Sequence, residues 1–299
     1  MIAFYLSKCY YEIQKNAETV SLNRQVMDRG FMRTNYHTHT PHCGHAVGKD
    51  AAEYAKAAFE QKMDILGFSD HAAFPDTDYG CRMPYEEMGI YFREVEELKK
   101  EYQPKGMEIY KGLEIEFLPK YLNIEGIPGK NYYEYLLNDR KVDYLLCGEH
   151  FFIDASGVID NIYNIKDTKQ VIAYAKSCRA AMETGYFKML AHPDLFGVNA
   201  FPWCEDYDRA CDIILEGAVK SGTILEYNAN GFRRGIHSFP DGDRLMYPLT
   251  KFWDKVKGTE IKVIIGSDSH NPTEIWDFAI EKAKNYLASV GITPIDTIG

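Results

Sequence analysis

The 299-residue sequence has no apolar run close to the roughly 20 residues that a membrane-crossing helix needs. No secretory leader is expected from Met1-Ile2-Ala3-Phe4-Tyr5-Leu6, which is too short for a signal-peptide core, lacks a basic start and is followed by Glu12. The seven cysteines contain no Cys-x-x-Cys, and their odd number fits reduced thiols better than a disulfide framework. These absences lead us to expect a cytoplasmic chain with no membrane partner. The glycines form neither a Walker pattern nor a dinucleotide fingerprint, so a nucleotide cofactor has no support. Without a Gly-x-Ser-x-Gly elbow, a serine nucleophile has none either. Positive charge is scarce: 34 Lys and Arg stand against 44 Asp and Glu, a formal net charge of -10. That balance argues against a general nucleic-acid surface, and it would repel an anionic substrate unless the site supplied its own cations. Bound metal ions would supply them.

Apolar runs alternate with helical periodicity along most of the chain. Strands are expected ahead of His37, at 65–68, at 107–117, at 142–147, at 187–191, at 223–228 and at 261–265. Between them lie amphipathic stretches such as the one carrying Met88, Tyr91, Val95, Leu98 and Tyr102 on one face. This alternation predicts an α/β fold with a parallel sheet, and right-handed crossovers place the helices outside a closed or nearly closed seven-stranded (βα) barrel, with a doubly wound open sheet as the runner-up. Residues 1–32 read as a helical N-terminal extension, with packing beneath the domain, joining of subunits in a homo-oligomer and partial disorder as the alternatives. Residues 33–299 read as the barrel domain.

The strand ends carry the chemistry. Tyr36-His37-Thr38-His39-Thr40 puts two imidazoles on one face of an extended segment, and Asp268-x-His270 repeats the spacing at the last strand. His37, His39, His45, His71, His150, His192 and His270, seven of the nine histidines, all fall at or just past a strand end. Parallel barrels bring those ends to one face, so the histidines predict a metal centre there, with imidazole and carboxylate ligands suited to Zn, Mn or Fe. Glu114 and Glu116 share a face, and spacing alone does not choose between them. Asp70, Glu149 and Asp194 adjoin histidines but point the other way, which suits supporting roles, and Cys43 is expected to be a structural thiol. Arg233-Arg234, at the sixth strand exit, offers a planar fork for phosphate oxygens, and one of the two is expected to bind them. His42 and His237 lie in loops. His42 is a candidate substrate contact, and either could donate a proton.

Together, His37-Thr38-His39-Thr40-Pro41 through Gly44-His45, Asp70-His71, Gly112-Leu113-Glu114-Ile115-Glu116, Gly148-Glu149-His150-Phe151, Ala191-His192-Pro193-Asp194 and Ser267-Asp268-Ser269-His270 form an ordered set of motifs. The set resembles the polymerase-and-histidinol-phosphatase (PHP) superfamily and, within it, the monofunctional histidinol-phosphatases. The likeness runs from His37 to about Pro272. It implies a distorted seven-stranded, TIM-like barrel holding three divalent metal ions. By that resemblance His37, His39, Glu114 and Asp268 would hold one ion, Glu114, His150 and His192 a second, and His45, His71 and His270 the third. Glu114 is then the ligand, which frees Glu116 to face substrate. His42 departs from the aromatic residue that related phosphatases often have. The implied activity is hydrolysis of L-histidinol phosphate, a step of histidine biosynthesis, by in-line attack of a metal-bridging hydroxide. The alternatives are a phosphoesterase of the same fold acting on nucleotides or sugar phosphates, and a non-catalytic, metal-stabilised binding module.

Overall fold

Seven short segments rich in β-branched and aromatic residues pair side by side and in parallel: β1 (Thr34–Asn35), β2 (Ile65–Phe68), β3 (Glu108–Ile115), β4 (Tyr144–Cys147), β5 (Phe187–Leu190), β6 (Ile224–Asn228) and β7 (Val263–Gly266). The computed structural model describes residues 32–154 and 156–299. The helix expected within residues 1–32 thus lies almost wholly outside the described residues. Strand order follows chain order, as right-handed βαβ crossovers produce. The two edges meet beyond the strand ends, where Thr38 bridges Ser269, His39 N donates to Ser269 O at 2.9 Å, and Ser269 N donates to His37 O at 3.3 Å. The sheet is therefore a nearly closed barrel, sealed beside its first and last site residues.

Barrel strands are buried on both faces, which explains why runs such as Tyr144-Leu145-Leu146-Cys147 are apolar throughout. Tyr36, Ile65, Tyr144, Leu146, Met189, Ile224 and Ile264 fill the interior. Tyr144 and Tyr36 are the largest plugs, and the Tyr144 hydroxyl donates to Tyr36 O at 2.6 Å and Phe68 O at 3.1 Å. Tyr144 fits because β2 and β3 each present a glycine. A Cβ would lie 2.4 Å from the hydroxyl at Gly67 and 2.3 Å from the ring at Gly112.

Helices cover the outside with the faces their periodicity predicts. Met88–Tyr102 buries Met88, Tyr91, Phe92, Val95, Leu98 and Tyr102. Thr168–Thr184 opens on a capping box between Asp167 and Gln170 and stops at Gly185, whose φ of 76° suits a left-handed cap. Among the described residues no helix is long and apolar enough to cross a membrane. Two antiparallel hairpins stand apart from the barrel, Phe151–Ile153 with Ile159–Asn161 and Ile236–Phe239 with Gly242–Leu245. The second was not expected, although Pro240-Asp241-Gly242 is a turn signal between alternating residues.

Candidate metal centre

The carboxyl ends of the strands deliver their polar residues to one place. His37 and His39 follow β1 on extended backbone, and both are fully buried. Their Nε2 atoms lie 3.0 Å apart. Asp268 Oδ1 is 3.5 Å from the first and 3.3 Å from the second, and Glu114 Oε2 is 3.4 Å from each. Ligands around a tetrahedral zinc with bonds of about 2.1 Å are themselves roughly 3.4 Å apart, so these four atoms fit one ion. Glu114 turns its other oxygen to His192 Nε2 at 2.9 Å and His150 Nε2 at 3.6 Å. His71 Nδ1 approaches Oε2 at 3.0 Å. On the far side His45 Nε2 and His270 Nε2 are 2.9 Å apart, and His270 also groups with His39 and His71. All nine expected ligands are thereby brought together, with Glu114 at the middle.

A buried atom left without a hydrogen bond points the same way. Glu114 Oε2 has no hydrogen-bond partner, and such an atom is costly inside a protein unless a ligand or ion meets it. Burial raises the pKa of Glu114, but His37, His71 and His150 outweigh it and hold the carboxyl well below its usual range. Asp268 is held down likewise by His37, His39 and His270 against its burial. Burial, with His270 and His71 nearby, drives the His39 pKa well below normal. Burial takes His71 to about 4, only partly offset by Glu114. The ionised carboxylates and the neutral His39 and His71 are in the states that metal ligation requires, whereas at His37 burial is outweighed by Glu226, Asp268 and Glu114, and at His150 by Glu114 and Glu116, so both of those imidazoles are raised. Two of these residues sit on unusual backbone, His192 with φ of 30° and Asp268 with φ of 50°. Simple strand alternation therefore ends at Asp268, whose carboxylate is steered by Asn228 Nδ2 and Asn230 Nδ2, each at 3.2 Å from Oδ2.

Above this cluster opens a cavity of about 270 Å³, walled by Tyr163, Tyr247, Asn230, Arg234 and Glu274 besides the ligand candidates. Arg234 lies over the Tyr247 ring at 5.6 Å and faces the cavity. Arg233 does not. Its guanidinium is bound to both oxygens of Asp277, at 2.9 and 3.0 Å, and to Ser267 and the Glu274 carbonyl, which pins the last loop. Glu116 is also committed elsewhere: Arg82 clasps both its oxygens at 3.0 and 3.1 Å, and Arg82 and His150 overcome burial to hold its pKa at about 2. His42 Nε2 is 2.8 Å from Glu94, and His237 Nε2 meets Arg234 O at 3.0 Å on an exposed hairpin, so neither is among the described residues lining the cavity.

The residues beside the histidines brace the loops. Asp70 accepts from the backbone and hydroxyl of Thr40, Glu149 from Phe117 N and Ser177, and Asp194 from Trp253 Nε1. Cys43 is wholly buried, and burial pushes its thiol up to about 12. Two important residues escape a reading of the sequence. Glu226, mid-strand in β6, lies 2.7 Å from His37 Nδ1, and its only advance signal is a charge on the same face as Ile224 and Asn228 in a buried strand. Arg82 sits in a loop with no motif around it.

Fold and site together define a parallel βα barrel whose strand ends assemble a metal-type cluster of histidines and carboxylates beneath a small polar cavity. The chain belongs to the PHP domain family, whose model matches residues 35–230. A Deinococcus radiodurans protein named "Probable histidinol-phosphatase" is 28% identical over 263 residues, covering 85% of this chain and 92% of its own. Two crystal structures share the fold. The "putative histidinol phosphatase" of Listeria monocytogenes aligns with a TM-score of 0.63 at 18% identity, over 83% of this chain and 99% of that one. The histidinol phosphate phosphatase of Lactococcus lactis, complexed with zinc, L-histidinol and phosphate, aligns with a TM-score of 0.62 at 17% identity, over 89% and 96%.

Proposed function

We propose that this chain is a metal-dependent phosphomonoesterase that hydrolyses L-histidinol phosphate to L-histidinol and inorganic phosphate. The observation that carries the reading is the convergence of His37, His39, Glu114 and Asp268 at ligand-to-ligand spacing, directly beneath a cavity holding Arg234. The names of the related proteins supply the substrate. We assign His37, His39, Glu114 and Asp268 to one ion, Glu114, His150 and His192 to a second, and His45, His71 and His270 to a third, with zinc, manganese or iron as the metal. When bound, the ions would neutralise phosphoryl oxygens and supply a hydroxide nucleophile at neutral pH for in-line attack.

The chain's own residues do the rest. Arg234 holds the non-bridging phosphate oxygens through its planar fork, and stacking on Tyr247 keeps it in place. Asn228 and Asn230 hold the Asp268 carboxylate toward His39. Tyr163 and Tyr247 flank the space for the leaving group and keep bulk water from it. His237, on the Arg234 carbonyl, and His42, on Glu94, both lie outside the cavity lining, so neither is assigned the proton for the departing alkoxide.

Steady-state phosphate release across a panel of monoesters tests the assignment. L-histidinol phosphate is expected to give the highest kcat/KM. A preference for nucleotides or sugar phosphates would move the chain to another PHP phosphoesterase activity, and no release from any ester after loading with zinc, manganese or iron would leave a metal-stabilised binding module. The arginine pair gives a second test. Arg234→Ala is expected to raise KM roughly 10–100-fold, the worth of a lost charge-assisted contact, with metal content unchanged. Arg233→Ala is expected instead to cost about 3 kcal/mol of stability by stranding Asp277, with the smaller effect on KM.

A further inference from the structure

The histidines of the centre are backed unequally from behind. His37 Nδ1 lies 2.7 Å from Glu226 Oε1, and both side chains are fully buried. The other Glu226 oxygen accepts from two neutral donors, His192 N at 3.0 Å and Asn228 Nδ2 at 2.9 Å. The carboxylate fits because its neighbour on β7 is Gly266, where a Cβ would lie 1.7 Å from Oε1. His150 Nδ1 is also backed by a carboxylate, Glu116 Oε1 at 3.2 Å. Here, however, the same oxygen takes Arg82 Nη2 at 3.0 Å while Nη1 takes Oε2 at 3.1 Å. Arg82 is fixed in that clasp by the rings of Phe74, Tyr79 and Phe151, 5.4 to 5.8 Å from its guanidinium carbon.

A carboxylate on the remote N–H of an imidazole fixes its tautomer and makes the opposite nitrogen a better metal donor. A bidentate guanidinium on the same carboxylate draws that charge away. We propose that Glu226 is a positioning residue that makes the His37 side of the centre the tighter ion site, and that Arg82, by sharing Glu116, keeps the His150 side weaker and exchangeable. The direct ligands act in the same sense, since His37 and His39 meet two carboxylates while His150 and His192 meet only one oxygen of Glu114. This inference rests on the metal centre proposed above and adds an order of filling to it.

Crystals of the metal-stripped full chain, given one equivalent of zinc, test it through anomalous occupancy. The wild type is expected to fill the His37, His39 and Asp268 side first. In E226Q, zinc affinity on that side is expected to fall roughly 10–100-fold, and the preference shrinks or vanishes. Because Glu226 also holds the His192 N–H, a merely structural role would weaken both sides together. The proposal requires the His37 side to lose more. In R82M the His150 side is expected to gain occupancy, while R82K, which keeps a cation there and serves if R82M fails to fold, retains the wild-type preference. Equal filling or His150-first filling in the wild type overturns the grading, as does an E226Q protein that fills like the wild type. Zinc at neither side overturns the metal-centre reading itself, and this inference with it.

Discussion

Glu114→Gln is expected to lower phosphate release by about a thousandfold, roughly 4 kcal/mol of transition-state stabilisation, and to lower bound metal in parallel. The reason is its position. One carboxylate meets His37, His39 and His71 through Oε2 and His150 and His192 through Oε1, so two of the proposed ion sites share it. An amide of the same shape keeps the packing but removes the negative charge that holds the cluster together. Metal analysis beside kinetics checks this, with circular dichroism to confirm the fold. A variant that kept full activity with full metal content would remove Glu114 from the centre.

Gly148→Ala is expected to damage the same centre without touching a ligand. A Cβ at Gly148 would lie 2.0 Å from Glu114 Oε1 and 2.5 Å from its Cδ, too close for the carboxylate to stay. Displacement of a reacting-site group by about 1 Å costs on the order of a hundredfold in rate, and a loss of at least that size is expected here, with metal content falling alongside. An alanine at Gly185, on a helix cap remote from the strand ends, makes a useful contrast: its φ of 76° predicts lost stability with metal binding intact. If Gly148→Ala bound metal like the wild type, the carboxylate would have another place to go.

The cluster of proposed ligands was legible because parallel strands impose a simple rule. Residues at strand exits meet on one face, and an exit residue needs only the correct strand assignment to be placed. His37, His39, His45, His71, His150, His192 and His270 all follow from it. Less legible was anything set by helical phase or by packing between distant loops. Arg233 and Arg234 are neighbours on the short helix Asn230–Arg234, where successive residues point about 100° apart, so one faces the cavity and the other the final loop. Their sequence is the same for either phase. Glu116 shares a strand face with Glu114 and was expected to meet substrate, yet the structure gives it to Arg82, a loop residue 34 positions away. Nothing local announces that pairing, because Arg82 is held between Phe74 and Tyr79 of its own loop and the distant Phe151. Glu226 lies between these cases. A glutamate inside a buried parallel strand needs a partner, but only the closed barrel shows that the partner is His37.

Metal and substrate are proposed to meet at the strand ends, and a single assay addresses both: phosphate release from L-histidinol phosphate before chelation, after complete removal of metal, and after manganese is restored. Turnover is expected to disappear with the metal and return with it. Undiminished turnover by the metal-free chain, or none by the fully loaded one, would contradict the proposal.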